Sequence, residues 1–249
     1  MTSLTPQGPP ERTIHCMDAL TWLRGSGIMP GASVVTSMPD ISEVGMDLTS
    51  WRAWFGEAAA LCVGLVEPTQ AALFYQSDIK LDGRWIDKGA LVIRAAEDAG
   101  AHVLFHKVIS RRQPGLLSHG RPGYTHLIAV SRELRCPDEL EIPDVIIDPG
   151  PVAWVRAMGV RAAAHGVRFV RDVAKARCVV DPFCGVGTIP AVANLLGLDA
   201  IGVELSRKRA ERARELVLRT ADLEAPARAK IGPWDVNRMN HGATQDPQG

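Results

Sequence analysis

A carboxylate stands at the mouth of a glycine loop in Asp181-Pro182-Phe183-Cys184-Gly185-Val186-Gly187-Thr188. Apolar Val179 and Val180 lead into the loop, a helical segment follows it, and a second apolar strand closes on another acid, Glu204. Strand, tight turn, helix, strand and acid is the layout of a mononucleotide-binding half of a doubly wound sheet. Loops of this kind usually hold phosphate. This one has no Lys after Gly187, as a GxxxxGK phosphate loop requires, and Pro190 stands where a dinucleotide loop has its third glycine. Asp181 would also repel a pyrophosphate at close range. The chemistry that fits is a ligand without phosphate that carries positive charge. Glu204 has the spacing of an acid that accepts from ribose hydroxyls.

S-adenosylmethionine (AdoMet) meets both conditions, since its sulfonium and ammonium groups would be drawn to an acid at this loop. DPFCGVGT followed by IGVE resembles the AdoMet-binding motif of class I methyltransferases. The closest likeness is to the amino-methyltransferases that write N4-methylcytosine and N6-methyladenine. The resemblance implies that Asp181, Pro182, Phe183, Gly185, Gly187 and Thr188 hold the methionine part and Glu204 the ribose. HCMDALTWL (His15–Leu23) and ASVVTSMPD (Ala32–Asp40) resemble the family's "GDAL-x-WL … VTSPPY" elements, here in permuted order. That implies an adenine contact for Asp18 and a target-handling tetrad of Ser37, Met38, Pro39 and Asp40. The segment Asp148 to Ala153 resembles the family's "KPVAL" element, which packs near the methionine end.

The tetrad departs from the family's Ser-Pro-Pro-Tyr or Asp-Pro-Pro-Tyr. An exocyclic base amine is a poor nucleophile because its lone pair is delocalised into the ring. Acceptors on its N–H groups draw the nitrogen toward tetrahedral geometry, and the Ser37 oxygen and Met38 carbonyl can fill that role. Asp40 cannot supply the stacking surface of a tyrosine ring. It is either a general base for a ring proton or a solvated residue of a proline turn. Phe74, Tyr75 and Tyr124 are the other aromatic candidates, although strand aromatics usually belong to the core. Asp78 is either a second carboxylate near the mouth or a capped turn.

Between Ala99 and Arg132 there is no Asp or Glu, while Lys107, Arg111, Arg112, Arg121 and Arg132 are present with four histidines. The Gly/Pro-rich middle of this segment is expected to be an exposed loop whose Arg111, Arg112 and Arg121 suit phosphates. The basic run Arg207 to Arg214, mixed with Glu211, is read as a solvated helix face.

These residues need a scaffold. Strands are predicted at 13–16, 33–37, 71–75, 102–109, 125–130, 177–180 and 200–203. Helices are predicted near 19–24, 51–66, 88–99, 151–165, 188–196 and 207–220, with Ser50 capping the second and Gly197 stopping the fifth. Their alternation predicts a Rossmann-like, doubly wound, mostly parallel seven-stranded α/β sheet with circularly permuted motif order. A methyltransferase domain would span residues 13–223, between a loose N-terminus (1–12) and a polar tail (224–249).

The chain has 249 residues, 46% hydrophobic, with 28 basic and 28 acidic side chains. That excludes global disorder and gives no overall pull toward nucleic acid. No apolar run approaches the roughly 20 residues that span a bilayer, and no secretory signal opens the chain. Five cysteines without CxxC spacing read as reduced thiols, so no metal site is expected and the cytoplasm is the expected compartment. The expected activity is AdoMet-dependent N-methylation of a nucleobase, with RNA favoured over DNA because the stacking tyrosine and room for a recognition domain are both missing. A small-molecule methyltransferase and an AdoMet-binding, RNA-binding accessory subunit are the alternatives. A homodimer is left open.

Overall fold

The computed structural model describes residues 8–112, 117, 119–120, 122–153 and 158–224. Strand β1 (Arg12–Cys16) and helix α1 (Ala19–Gly25) are followed by β2 (Ala32–Thr36), the short α2 (Ile41–Val44) and the long α3 (Leu48–Leu65). Next come β3 (Ala72–Gln76), a small hairpin of β4 (Ile79–Leu81) and β5 (Arg84–Ile86), and α4 (Lys88–Asp98). Strands β6 (His102–Ser110), β7 (Tyr124–Ser131) and β8 (Val145–Ile146) precede α5 (Val160–Asp172). The last third holds β9 (Cys178–Asp181), α6 (Thr188–Leu195), β10 (Asp199–Glu204), α7 (Arg207–Glu215) and α8 (Thr220–Leu223).

The main sheet has eight strands in the order β1-β10-β9-β2-β3-β7-β6-β8, so the seven-strand expectation falls one short. The extra member is β8, a two-residue edge strand too short for any periodic signature. Every strand runs in the same direction except β7, which is antiparallel to β3 and β6. The pleat sends alternate residues to opposite faces. Leu73 and Tyr75 pack on one face with Val167 and Phe169 of α5 and Ile189 of α6. Phe74 packs on the other face with Trp51 and Phe55 of α3 and Val92 of α4. Helices on both faces make the sheet doubly wound, as the alternation predicts.

Local chemistry sets several boundaries. Helix α3 is capped by Asp47, whose Oδ1 accepts from the N–H groups of Thr49 and Ser50, so Ser50 is inside the cap it was expected to supply. Gly197 does stop α6, with φ +83 and an N–H to Asn194 O bond. Helix α5 begins at Val160 and not at Pro151; Gly159 precedes it, and a Cβ there would strike the Pro149 carbonyl at 1.9 Å. Helix α7 ends at Glu215, short of Thr220. Asp82 and Gly83 both take positive φ between β4 and β5, the backbone of a two-residue hairpin turn. The five cysteines are free thiols. No described helix is long and apolar enough to cross a membrane.

Candidate active site

The C-terminal ends of β9 and β2 lie side by side at the centre of the sheet, with Val34 opposite Val180. The chain winds outward from this point in both directions, the position where open α/β sheets bind ligands. A hydrogen bond from Thr36 Oγ1 to Asp181 Oδ1, 2.7 Å long, joins the two strand ends across 145 residues of sequence. Around it opens a cavity of about 620 Å³. Its wall takes Asp18 from the start of α1, Ser37, Met38 and Pro39 from beyond β2, and Glu43, Val44 and Met46 around α2. Asp181 through Val186, Thr188, Glu204, Leu205 and Arg209 complete the opposite side. Motifs at opposite ends of the chain therefore share one cleft, as the permuted order requires.

The two loop glycines have different duties. Gly185 has φ +56, lines the cavity, and would carry a Cβ into open space, so its missing side chain leaves room for a ligand. Gly187 has φ +87 and is not on the cavity wall; a Cβ there would meet the backbone of Ala213 at 2.8 Å. Its smallness lets the start of α6 press against α7. Thr188, 5% exposed, lines the cavity and its Oγ1 has no hydrogen-bond partner among the described residues. A buried hydroxyl without a partner costs about 1–3 kcal/mol, a cost that a ligand atom in the cavity would relieve.

Asp181 is buried, and its Oδ1 also accepts from Phe183 N–H at 3.2 Å. Burial pushes its carboxyl up to about 7, against the two hydrogen bonds that pull it down, with the charge of Glu204 adding to the rise. A cation in the cavity would reverse that shift. Glu204 is also buried, and its Oε1 accepts from Ser206 N–H (2.7 Å) and Arg209 Nε (3.0 Å). Asp18 is exposed and caps α1, with Oδ1 accepting from the N–H and hydroxyl of Thr21.

The tetrad divides. Ser37, Met38 and Pro39 line the cavity, whereas Asp40 is not among the lining residues. The Asp40 carboxylate pairs with Lys88 Nζ, whose side chain is 3% exposed, and its N–H donates to Glu43 Oε1. Lys88 in turn donates its backbone N–H to Asp78 Oδ1 at 2.9 Å. Asp78 is a buried hub that also meets Trp85 Nε1, the Tyr124 hydroxyl and His126 Nε2, each at 3.0–3.1 Å. His126 Nδ1 lies 2.8 Å from His106 Nε2. Burial raises the Asp78 carboxyl, but the bonds from His126, Lys88 and Trp85 outweigh it and hold the group below the usual carboxylate range. Tyr75 is a core residue whose hydroxyl donates to Ala162 O and accepts from Gly166 N–H.

Arg111 and Arg112 are exposed beyond the end of β6, at the same end of the sheet as the cavity, and neither lines it. Arg121 lies outside the described residues. Lys107 pairs with Asp144, and Arg132 donates to Val66 O, so these two cations are committed elsewhere. The solvated-face reading holds for Arg207, paired with Glu211, but not for the whole of α7. Arg209 turns to Glu204, and Arg214 donates to Ile14 O in β1. The spacing from Glu204 to Arg209, one helical turn beyond the strand end, was the available signal.

Comparison with known proteins bears on the fold. No family model and no curated protein matches this sequence. Among solved structures, TTHA0409 from Thermus thermophilus, whose name assigns it provisionally to the DNA modification methylases, superposes with a TM-score of 0.65 at 18% identity. That match covers 82% of this chain and 93% of the other. The same protein complexed with S-adenosyl-L-methionine gives 0.63 at 19% identity, with 82% and 92% covered. PvuII DNA methyltransferase, cytosine-N4-specific, gives 0.63 at 14% identity, with 84% and 89% covered. The chain has the Rossmann-like fold of these methyltransferase structures over most of its length.

Proposed function

We propose that the chain is an AdoMet-dependent methyltransferase acting on an exocyclic nitrogen of a nucleobase in nucleic acid. One observation carries the reading: a single cavity brings Ser37-Met38-Pro39 together with Asp181, Gly185, Thr188 and Glu204, joined by the Thr36–Asp181 bond. The donor set fits the cofactor. Asp181 offers an anion to the sulfonium and ammonium, Thr188 a spare hydroxyl, Gly185 an open approach, and Glu204 a second carboxylate oxygen for ribose. Gly187 serves by packing, not by contact.

AdoMet, when bound, supplies an electrophilic methyl group. The residues of this chain then hold the acceptor: the Ser37 hydroxyl oxygen and Met38 carbonyl take its N–H groups and aim the nitrogen lone pair inward. Asp40, committed to Lys88, is assigned the role of bracing that turn and not of a base. DNA is the first candidate polymer, because the solved structures that share the fold are named as DNA enzymes. RNA is the second, for the missing tyrosine.

The test is transfer of labelled methyl from AdoMet to DNA and to bulk RNA, each incubated separately. Label should enter at least one of them, and Glu204→Ala should lower AdoMet affinity about ten- to a hundredfold, as expected for about 1.5–3 kcal/mol of charged hydrogen bonds. Transfer to neither polymer by a protein that binds AdoMet would end the nucleobase reading. Arg111→Ala with Arg112→Ala should flatten the log–log salt slope of polymer binding by about 1–2.

A further inference from the structure

The cavity lining is unevenly apolar. Met38, Pro39, Val44, Met46 and Trp54 gather beyond β2 beside the polar Ser37 and Glu43, and Phe183 of the glycine loop faces them; Glu204, Leu205 and Arg209 lie beyond β10. Trp54 stands on α3, one position removed from the packing face set by Trp51 and Phe55, both fully buried. Trp54 itself is partly exposed, packing against the same core while lining the cavity. There it meets Phe183 edge-on, ring centroids 5.7 Å apart and planes 67° apart, an arrangement that fixes the indole in place. A large aromatic braced by an edge contact and partly open to a cleft offers a surface for a flat partner.

We infer that Trp54 is the stacking surface for the acceptor's ring, the part that Asp40 cannot play, and that it sets the preference for an aromatic heterocycle. The inference rests on the methyltransferase reading above. Three features place the ring here and not at the cofactor's adenine. Trp54 lies on the β2 side with Pro39 and Val44, across β9 from Glu204 and Leu205. Ser37 and Met38, to which the proposed reading gives the amine, line the same part of the cavity. Asp40, at the end of the tetrad, is turned to Lys88.

The experiment compares wild type, Trp54→Phe and Trp54→Ala as full chains, measuring AdoMet affinity by calorimetry and methyl transfer to the nucleic acid that the wild type methylates. Base–aromatic stacking predicts transfer at limiting polymer about ten- to a hundredfold slower in Trp54→Ala. Trp54→Phe should recover to within about threefold of wild type, and AdoMet affinity should stay within about threefold in both, which also shows that both variants fold. Unchanged transfer in Trp54→Ala would overturn the stacking role while leaving the methyltransferase reading intact. A loss of AdoMet affinity that tracks the loss of transfer would make Trp54 part of the cofactor wall and overturn the inference. A wild type that binds AdoMet and methylates no polymer would overturn both.

Discussion

The two halves of the site handle polar groups in opposite ways. Around the glycine loop, groups are left ready for something else: Thr188 Oγ1 has no partner among the described residues, and Gly185 faces open space. Asp181 is carried toward neutrality by burial. Around the tetrad, the named carboxylates are paired internally, although Gln76 at the end of β3 keeps a buried amide without a partner among the described residues. Asp40 is matched to Lys88, and Asp78 gathers a backbone N–H, an indole, a phenol and an imidazole. On the proposed reading, the glycine-loop half leaves groups open to a cofactor, and the carboxylates of the tetrad half serve as a brace.

That contrast can be broken most forcefully at Asp78. Asp78→Ala should strand the Lys88 N–H and His126 in the interior and lower stability by about 3–5 kcal/mol, a fall in melting temperature of roughly 6–20 °C. AdoMet affinity of the folded fraction should be nearly unchanged. Differential scanning calorimetry with and without AdoMet checks both parts.

A middle-sized effect lies in the pH dependence of Asp181. Its folded pKa of about 7 stands above the unfolded value near 4, so the folded state binds more protons between them. Without ligand, this group's contribution to stability therefore falls as pH rises from about 4 to 7. A cationic ligand selects the ionised form, so AdoMet affinity should weaken about tenfold from pH 8 to pH 6. Titration calorimetry across that range should show the trend in wild type and a flat profile in Asp181→Asn.

The smallest effect sharpens the contrast. Thr188→Val removes a hydroxyl with no partner among the described residues, so stability should hold or rise slightly while AdoMet affinity drops about three- to tenfold. Equal affinity would mean that Thr188 Oγ1 meets no ligand atom.

How much of this was legible follows the same division. The loop from Asp181 to Thr188 is contiguous, and its glycines and acid announce a strand–turn–helix that the structure contains. The juxtaposition of Ser37 with that loop was also readable, because parallel strands obey a switch-point rule. The brace was not. Lys88 and Asp40 are 48 residues apart, as are His126 and Asp78, and a polar pair across a fold leaves no periodic trace in either partner's neighbourhood. One signal was present and unread: Asp82-Gly83 between Ile79-Lys80-Leu81 and Arg84-Trp85-Ile86 spells a two-residue hairpin. That hairpin carries Trp85 to Asp78. Arg209 was missed because its run of neighbouring charges resembles any solvated helix.

The strand order also sets a timetable for the chain as it is made. Strands β2, β3, β7 and β6 lie between residues 32 and 131 and pair among themselves, so half of the sheet can assemble while the remainder is still being synthesised. Strand β1 leaves the ribosome first, yet its partner in the sheet is β10, which ends at Glu204. The first strand thus waits for the last, and the cavity closes only then. A nascent chain halted between β7 and β9 would hold the tetrad and the brace but neither the glycine loop nor Glu204, and the site would await the pairing of β1 with β10, the most distant in sequence among the described strands.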